Sequence, residues 1–359
     1  MRHTAALDPA GDPFCERSPM AWRTRLQLLG GRFHFESNSR QLLRLVKVAY
    51  AGLPRHRFSP NAAPFRIRLR LVASNALRTT PEPPSLKTLS GPGGLLCGIM
   101  DAANFAVLSP NERSGLVVVS RDMLRHPYHV RYELIEFVVF TLASRAQGLV
   151  SLHAACVGRS GRGLLLMGSS GAGKSTLALH CLMQGLDFLS EDAVFVRPDQ
   201  MMATGVSNFL HVRRDSLRFL DDASMVSRIR KSPIIHRRSG VQKFEVDLRH
   251  PGCRLALAPL GIDGIVFLST RSAGFGTTVV PLRNRELITR LEAAQPYAAQ
   301  LPTWQAFRKR LSGLRGFELR RGRHPAEAAV AMRHILDSAQ DERAGDDRNR
   351  RRPKAPPRS

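Results

Sequence analysis

A glycine-rich octapeptide lies between an apolar run and a segment of helical periodicity, and it constrains the fold of this 359-residue chain more than any other feature. Residues 168–175 read G-S-S-G-A-G-K-S, directly after the short buried-strand pattern of Gly163–Met167. Apolar residues at helical spacing follow over Thr176–Met183 and stop before Gly185, a residue type that commonly ends helices. The sequence therefore predicts a strand–loop–helix unit that binds the phosphates of a nucleoside triphosphate.

The residue types in this loop each have a chemical role. Glycines at 168, 171 and 173 let backbone N–H groups turn inward around a phosphate at the N-terminus of the helix. Lys174 is expected to reach the β- and γ-phosphates of ATP, and the Ser175 hydroxyl is expected to ligate Mg²⁺. The predicted nucleotide-binding residues are Gly168, Ser169, Ser170, Gly171, Ala172, Gly173, Lys174, Ser175 and Thr176.

Composition and charge narrow the range of partners. The chain has 54 Lys and Arg against 29 Asp and Glu, a net charge of +25, which indicates either an anionic partner or an arginine-biased surface. Its basic residues are spread through both halves without zinc-finger spacing, so nucleic-acid binding is not favoured as the main function. The five cysteines form no C-x-x-C pair, as is typical of a reducing compartment. With no apolar signal core and no segment long enough to span a bilayer, a cytoplasmic protein without a membrane partner is expected.

Shifts in composition divide the chain into four segments. These are a disordered N-terminus (1–19), a mixed α/β domain (20–148), a phosphate-loop domain (149–338) and a disordered basic tail (339–359). Leu152–Val157 and Gly163–Met167 flank a G-R-S-G turn and are predicted to form a hairpin. Further predictions are a strand over Phe65–Leu71, a strand over Gly264–Ser269, and helices over Arg40–Tyr50, Tyr128–Arg145, Arg283–Ala294, Thr303–Leu314 and Pro325–Leu336.

Two acidic residues and one histidine are the candidates for chemistry. Glu191 and Asp192 follow the strand-like run Gly185–Ser190, whose end would open onto the phosphates in a parallel α/β sheet. One carboxylate is suited to hold Mg²⁺ and the other to accept the proton of an attacking hydroxyl; an acidic surface turn is the alternative. His153 can reach the reaction centre if its strand pairs with the strand of the loop, and a purely structural histidine is the alternative.

These features together resemble the kinase domain of the HPr kinase/phosphorylase family. The order H-A-A-x-V, hairpin, G-x-S-G-x-G-K-S-T, helix, Q-G and S-E-D over residues 150–200 is similar to the family's H-G-V, G-D-S-G-h-G-K-S, R-G and V-A-D-D. The resemblance implies an α/β P-loop kinase domain of the HPr kinase/phosphoenolpyruvate carboxykinase-like type. It also implies Mg-dependent transfer of phosphate from ATP to a serine of a protein or peptide. In that resemblance Asp192 is the general base, Glu191 lies at the metal with Ser175, and His153 lies near the transferred phosphoryl group.

The chain departs from the bifunctional members of that family. They carry a further signature, R-G-h-G-h-h-D, which is tied to the phosphorylase reaction, and nothing around residues 213–230 matches it. We therefore expect a divergent HPr-kinase-like serine kinase without phosphorylase activity, and homo-oligomerisation stays open. The alternatives are a small-molecule kinase on the same core and a nucleotide-dependent regulatory or nucleic-acid-binding module.

A later run offers additional candidates for the site. Lys243, Glu245 and Asp247 alternate with apolar residues, which places the three on one face of a predicted strand. That face is suited to present Lys243 to the phosphates and Glu245 to Mg²⁺, and a solvated edge strand is the alternative. Arg237 and Arg238 are candidates for a bidentate phosphate clamp.

Overall fold

A computed structural model describes residues 19–59, 61–73, 82–273, 276 and 278–350. The predicted mixed α/β class is confirmed. Contacts divide the chain into two compact units. The first holds the described residues up to Gln27 with Gly31–Ala51 and Ser59–Ala146, and the second holds Leu28–Gly30, Gly52–Phe58 and the residues from Gln147 onward. The N-terminal segment predicted to be disordered lies, apart from Pro19, outside the described residues.

The first unit is built on a seven-stranded sheet in the described part of the chain. Its strands are β1 (Trp22–Leu28), β2 (Gly31–Ser37), β3 (Phe65–Val72), β4 (Lys87–Ser90), β5 (Leu96–Asp101), β6 (Asn104–Ser109) and β7 (Ser114–Ser120). The strand order is β1-β2-β3-β7-β6-β5-β4, and β3 runs parallel to both of its neighbours. The predicted strand over Phe65–Leu71 is confirmed in β3, where buried apolar residues alternate with arginines.

Helices cover one face of this sheet. They are α1 (Arg40–Tyr50), α2 (Pro127–His129) and α3 (Glu136–Gln147), with a π-helical segment over Val130–Ile135 between the last two. The predicted bounds of α1 are confirmed, and the predicted helix over Tyr128–Arg145 contains the π-helical segment. A Cβ added to Gly115 would lie 2.6 Å from Val138 of α3, which shows how closely this helix packs on β7. The covered face buries Phe33, Phe35, Phe65, Ile67 and Leu69.

The second unit contains a nine-stranded sheet and a three-stranded sheet among the described residues. Its strands are β8 (Val150–Leu152), β9 (Ala155–Arg159), β10 (Arg162–Met167), β11 (Asp187–Ser190), β12 (Val194–Arg197), β13 (Met202–Gly205), β14 (Phe209–Val212), β15 (Ile234–His236), β16 (Gln242–Asp247), β17 (Leu260–Ser272), β18 (Thr278–Leu282) and β19 (Arg315–Arg321). The large sheet runs β11-β9-β10-β17-β13-β12-β8, with β19 joining β17 to β18, and the small sheet runs β14-β16-β15.

The hairpin of β9 and β10 lies at the centre of the large sheet. The predicted hairpin is confirmed, and its turn is the two-residue Ser160-Gly161, whose φ angles of 52° and 77° suit a tight hairpin. β10 pairs in parallel with β17, which pairs in parallel with β19 and contains the predicted strand Gly264–Ser269. Both faces of β10 are buried, because Leu164 packs in one apolar cluster and Leu165 in another.

Six α-helices of the second unit are described. They are α4 (Lys174–Met183), α5 (Ala223–Lys231), α6 (Asn284–Ala294), α7 (Pro296–Ala299), α8 (Thr303–Arg310) and α9 (Pro325–Arg350). The predictions of α4 and α6 are confirmed, and a 3₁₀ turn over Leu311–Gly313 follows the shorter α8. No helix in the described part of the chain is both long and apolar enough to cross a bilayer.

The predicted disordered tail is corrected over 339–350, because α9 continues to Arg350. The prediction of disorder rests on the absence of an apolar face to bury in this segment. A helix already begun at Pro325, however, elongates at little cost, since nucleation rather than propagation is the unfavourable step. The rest of that tail, 351–359, lies outside the described residues.

Candidate active site

Three chain segments meet at one edge of the large sheet. β9 lies between β10 and β11 and is antiparallel to both, so the end of β10, the end of β11 and the start of β9 share this edge. The glycine-rich loop follows β10, Glu191 and Asp192 follow β11, and His153 comes just before β9. The prediction that the acidic pair faces the loop rested on a parallel sheet. In the structure the acidic pair lies at the same edge as the loop, but the antiparallel strand β9 lies between β10 and β11.

The glycine-rich loop has the backbone that its sequence requires. Gly171 and Gly173 have φ angles of 79° and 98°, a region in which side chains other than glycine are strained. Gly173 is the N-cap of α4, so the first amides of this helix point toward the loop. Beside the loop lies a cavity of about 550 Å³. Helix N-termini with free amides favour anions, and the loop therefore has the features of an anion site.

Lys174 lies over its own loop. Its Nζ donates a hydrogen bond of 2.7 Å to the Gly168 carbonyl oxygen and is 3.5 Å from the Ser169 carbonyl oxygen. Burial lowers the pKa of the Lys174 amine, and the nearby Asp192 carboxylate acts in the opposite direction. Backbone carbonyls thus hold the Lys174 side chain against the glycine-rich loop.

Glu191 is the most connected acidic group of the site. The Ser175 hydroxyl donates to its Oε1, and the His211 backbone N–H donates to its Oε2 at 2.7 Å. The His211 ring forms an ion pair with the same Oε2 at 2.9 Å between Nδ1 and oxygen, and Lys243 Nζ lies 3.8 Å from Oε1. Glu191 is only 3% exposed, so its charge is compensated almost entirely by protein groups.

His211 carries a positive charge at neutral pH. Burial alone would lower the pKa of its ring, but the Glu191 carboxylate, with a further contribution from Glu245, raises that pKa to about 9. The second contact is longer, with 3.9 Å between His211 Nε2 and Glu245 Oε1. His211 was missed in the sequence, where the only signal is a histidine within the apolar run F-L-H-V of β14.

Asp192 has a different environment from its neighbour. It is partly exposed, and its Oδ2 accepts a hydrogen bond of 2.8 Å from Arg237. Burial opposes ionisation of this carboxyl, but Arg237 holds its pKa below the ordinary value. The His153 ring approaches the Asp192 carbonyl oxygen at 3.1 Å, and Gln295 fixes the backbone of His153 through bonds of 2.8 and 3.1 Å.

Of the remaining residues that the sequence suggests for the site, some line the cavity and others do not. Lys243 and Arg237 line the cavity, whereas Glu245 contacts the cavity-lining His211, and Arg238 is exposed at the adjacent turn. Asp247 is paired with Arg249 at 2.7 Å and takes no part in the site. Cavity-lining residues that the sequence did not single out include His211, Arg213, Ser216, Arg218, Phe219, Arg321, Arg323 and His324.

The donor atoms of the site suit a magnesium ion. Among the described residues, ligand atoms of Glu191, Asp192 and His211 lie within 4.8 Å of one another, and the Ser175 hydroxyl contacts Glu191. Mg²⁺ prefers oxygen ligands, which Ser175, Glu191 and Asp192 supply. A protonated histidine is no ligand, so His211 fits the site as a partner of Glu191 and not as a member of the metal shell.

Neither a protein-family model nor a curated protein matches this chain. Among solved structures, the HPr(Ser) kinase/phosphatase from Coxiella burnetii aligns with 56% of this chain and 96% of its own length, at 11% identity and a TM-score of 0.26. A likeness of this size carries no weight for the fold or the activity. The interpretation of the site therefore depends on its own residues.

Proposed function

We propose that the second unit binds Mg·ATP and transfers the γ-phosphoryl group to a serine hydroxyl of a protein or peptide. The observation that carries the proposal is the meeting, at one sheet edge, of the GSSGAGKS loop with Glu191, Asp192 and His153. A motor protein or a molecular switch would need only the nucleotide-binding loop. A carboxylate beside the cavity that is positioned to accept a proton supports transfer to a hydroxyl instead.

The loop and its lysine would hold the triphosphate. Amides at the start of α4 donate to phosphate oxygens, and Lys174 exchanges the Gly168 carbonyl oxygen for a phosphate oxygen. Arg213, Arg237 and Lys243 add positive charge along the cavity, which suits a ligand that carries several negative charges.

Ser175 and Glu191 would hold the magnesium ion, beside the Asp192 carboxylate. When bound, Mg²⁺ neutralises charge on the phosphate oxygens. His211 and Lys243 keep Glu191 oriented toward Ser175 and balance its buried charge. These contacts would position Glu191 for the metal before the ligand binds.

Asp192 would act as the base. The acceptor oxygen bonds to the γ-phosphorus, the bond from phosphorus to the β,γ-bridging oxygen breaks, and the hydroxyl proton passes to the Asp192 carboxylate. Arg237 keeps this carboxyl ionised at neutral pH and therefore able to accept the proton. Because the transition state of phosphoryl transfer is loose, a weak base is sufficient. A ring N–H of His153 would donate to a phosphoryl oxygen.

The test uses purified full-length protein with γ-labelled ATP, Mg²⁺ and cell lysate. We expect label in a protein band, and loss of that label by at least about a hundredfold in both Lys174→Ala and Asp192→Asn. Asp192→Asn should retain nucleotide binding, whereas Lys174→Ala should weaken it. Asp199→Asn is the matched control, because Asp199 is an exposed carboxylate that pairs with Arg197 at 3.6 Å.

Other outcomes would identify a different function. Label confined to the small-molecule fraction would indicate a small-molecule kinase. Absence of any phosphate ester, with salt-sensitive binding of DNA or RNA, would indicate a nucleotide-dependent binding module. Wild-type phosphotransfer in Asp192→Asn would show that the base is wrongly assigned.

A further inference from the structure

One face of the first unit concentrates positive charge. While α1 and α3 pack on the face that buries Phe33 and Phe65, the opposite face of β1, β2 and β3 carries a group of basic side chains. We call this group the arginine face; it consists of Arg23, Arg25, Arg32, His34, Arg66, Arg68 and Arg70.

Strand pairing arranges these side chains in rows. β2 and β3 are parallel, with His34 opposite Arg66 and Glu36 opposite Arg68. Side chains two residues apart on one strand are separated by about 6.6 Å, and neighbouring strands by about 4.8 Å. Arg66, Arg68 and Arg70 therefore form a row with a regular spacing of about 6.6 Å along β3.

The positive charge of this face is poorly balanced within the protein. Glu36 is the one acidic side chain in the sequences of β1, β2 and β3, and it pairs with Arg23 at 3.4 Å. In the described part of the chain, Arg66, Arg68 and Arg70 have no carboxylate partner. Burial and then the charges of Arg25, Arg32 and Arg66 lower the pKa of His34, which shows how closely these cations surround it.

We propose that the arginine face binds an extended acidic segment of a partner protein. Alternate side chains of an extended peptide point to the same side and repeat at about the same 6.6 Å as the arginine row. Guanidinium groups pair with carboxylates in bidentate geometry, so matched spacing gives specificity as well as attraction.

The composition of the face favours an acidic peptide over a nucleic acid. Binding of single strands depends on aromatic side chains on which the bases stack. On β1, β2 and β3 the aromatic rings lie on the other face: Phe33 and Phe65 stack on each other at 4.4 Å, and the ring centre of Trp22 lies 5.7 Å from the guanidinium carbon of Arg40 in α1. The arginine face thus offers charge and spacing without a stacking platform.

The experiment measures binding of labelled peptides to the full chain without nucleotide, so it is independent of the proposed phosphotransfer. One peptide has Glu at every second position and Thr between, and a second has the same composition with the Glu residues in one block. The alternating peptide should bind at least about tenfold tighter than the block peptide. Arg66→Gln/Arg68→Gln/Arg70→Gln should weaken its binding by at least about tenfold.

A matched control removes the same charge from the same unit. Arg40→Gln/Arg44→Gln/Lys47→Gln acts on exposed residues of α1 and should change the affinity by less than about twofold. Equal weakening by both variants would show only a net-charge effect and would overturn the proposal. Tight binding of oligothymidylate at this face, without binding of the alternating peptide, would also overturn it.

A lysine variant distinguishes a loss of binding from a loss of folding. Arg66→Lys/Arg68→Lys/Arg70→Lys keeps the charge but removes the bidentate geometry. We expect an intermediate affinity for the alternating peptide. Unchanged affinity with this variant would contradict bidentate recognition by the arginine row.

Discussion

Glu191 shows at the scale of single residues how the site is held together. A buried carboxylate is costly unless hydrogen bonds and opposite charges compensate it. Ser175, His211 and Lys243 supply these partners from three different elements. The same contacts orient Glu191 toward the loop, so stability and positioning depend on one network.

The charge of His211 makes the stability of the protein depend on pH. Because the pKa of His211 is raised to about 9 in the folded state, its stabilising effect is fully present below about pH 6.5 and is lost as the pH rises through 9. The free energy of unfolding should fall by about 3 kcal/mol over this range. Urea unfolding between pH 6 and 10 measures it.

Removal of the histidine isolates this effect. His211→Gln should be less stable than the wild type at pH 6.5 and should lose most of the pH dependence. His236→Gln, an exposed histidine in β15, is the control and should keep the wild-type profile. A wild-type profile in His211→Gln would refute the assigned charge.

The two neighbouring carboxylates should differ in their effect on magnesium. Glu191→Gln leaves the shape of the site but removes the anionic ligand, so the Mg²⁺ concentration for half-maximal phosphotransfer should rise by about tenfold or more. Asp192→Asn should lower the rate with a smaller change in that concentration. Magnesium titrations of both variants separate the roles, and identical profiles would contradict the division of labour.

At the scale of elements, the sequence predicts those features of the fold that depend on residues close together in the chain. The strand–loop–helix unit appears as β10, loop and α4 because its apolar periods and its glycines lie in one continuous segment, 162–183. The two-residue turn Ser160-Gly161 is local as well. The prediction that Glu191, Asp192 and His153 lie near the loop also depends on a single segment, residues 150–200.

The features that the sequence does not predict depend on pairing between strands that are distant in the chain. His211 reaches Glu191 only because β14 pairs with β16 in a separate sheet beside the loop, a relation that no periodicity records. The position of β9 between β10 and β11 is also a matter of long-range hydrogen bonding. Within Val130–Ile135 the pattern is helical, and the π-helical hydrogen bonding has no signal in the spacing of apolar residues.

The hairpin turn offers a test of backbone strain. Gly161 has a φ of 77° and no atom within 4 Å of an added Cβ, so Gly161→Ala should destabilise the protein by about 1 kcal/mol through strain alone. Gly313, equally open but without a positive φ, is the matched control, and Gly313→Ala should be neutral or slightly stabilising. Equal unfolding midpoints in urea would contradict this account.

At the scale of the whole molecule, the chain consists of two units with separate cores. Phe33, Phe35 and Leu69 belong to the first, and the apolar clusters around β10 belong to the second. The candidate active site lies entirely within the second unit, and the arginine face lies entirely within the first.

This division predicts a selective effect of ligand on unfolding. Calorimetry of the full chain should show two transitions, and Mg·ATP at a hundred times its Kd should raise only one of them. The stabilisation of about 2.7 kcal/mol corresponds to a shift of about 5–10 °C for a domain of this size. Lys174→Ala should abolish the shift, and an equal shift of both transitions would contradict the assignment of the site to one unit.

The hydrogen bond between Lys174 and the Gly168 carbonyl has a consequence for discrimination among ligands. Any group that enters must offer the ammonium more than a neutral carbonyl does, and only an anion meets this condition. A nucleoside that fits the cavity equally well gains nothing from the exchange. Under the proposed function, this exchange would make the loop favour an anionic ligand over an uncharged analogue of the same shape.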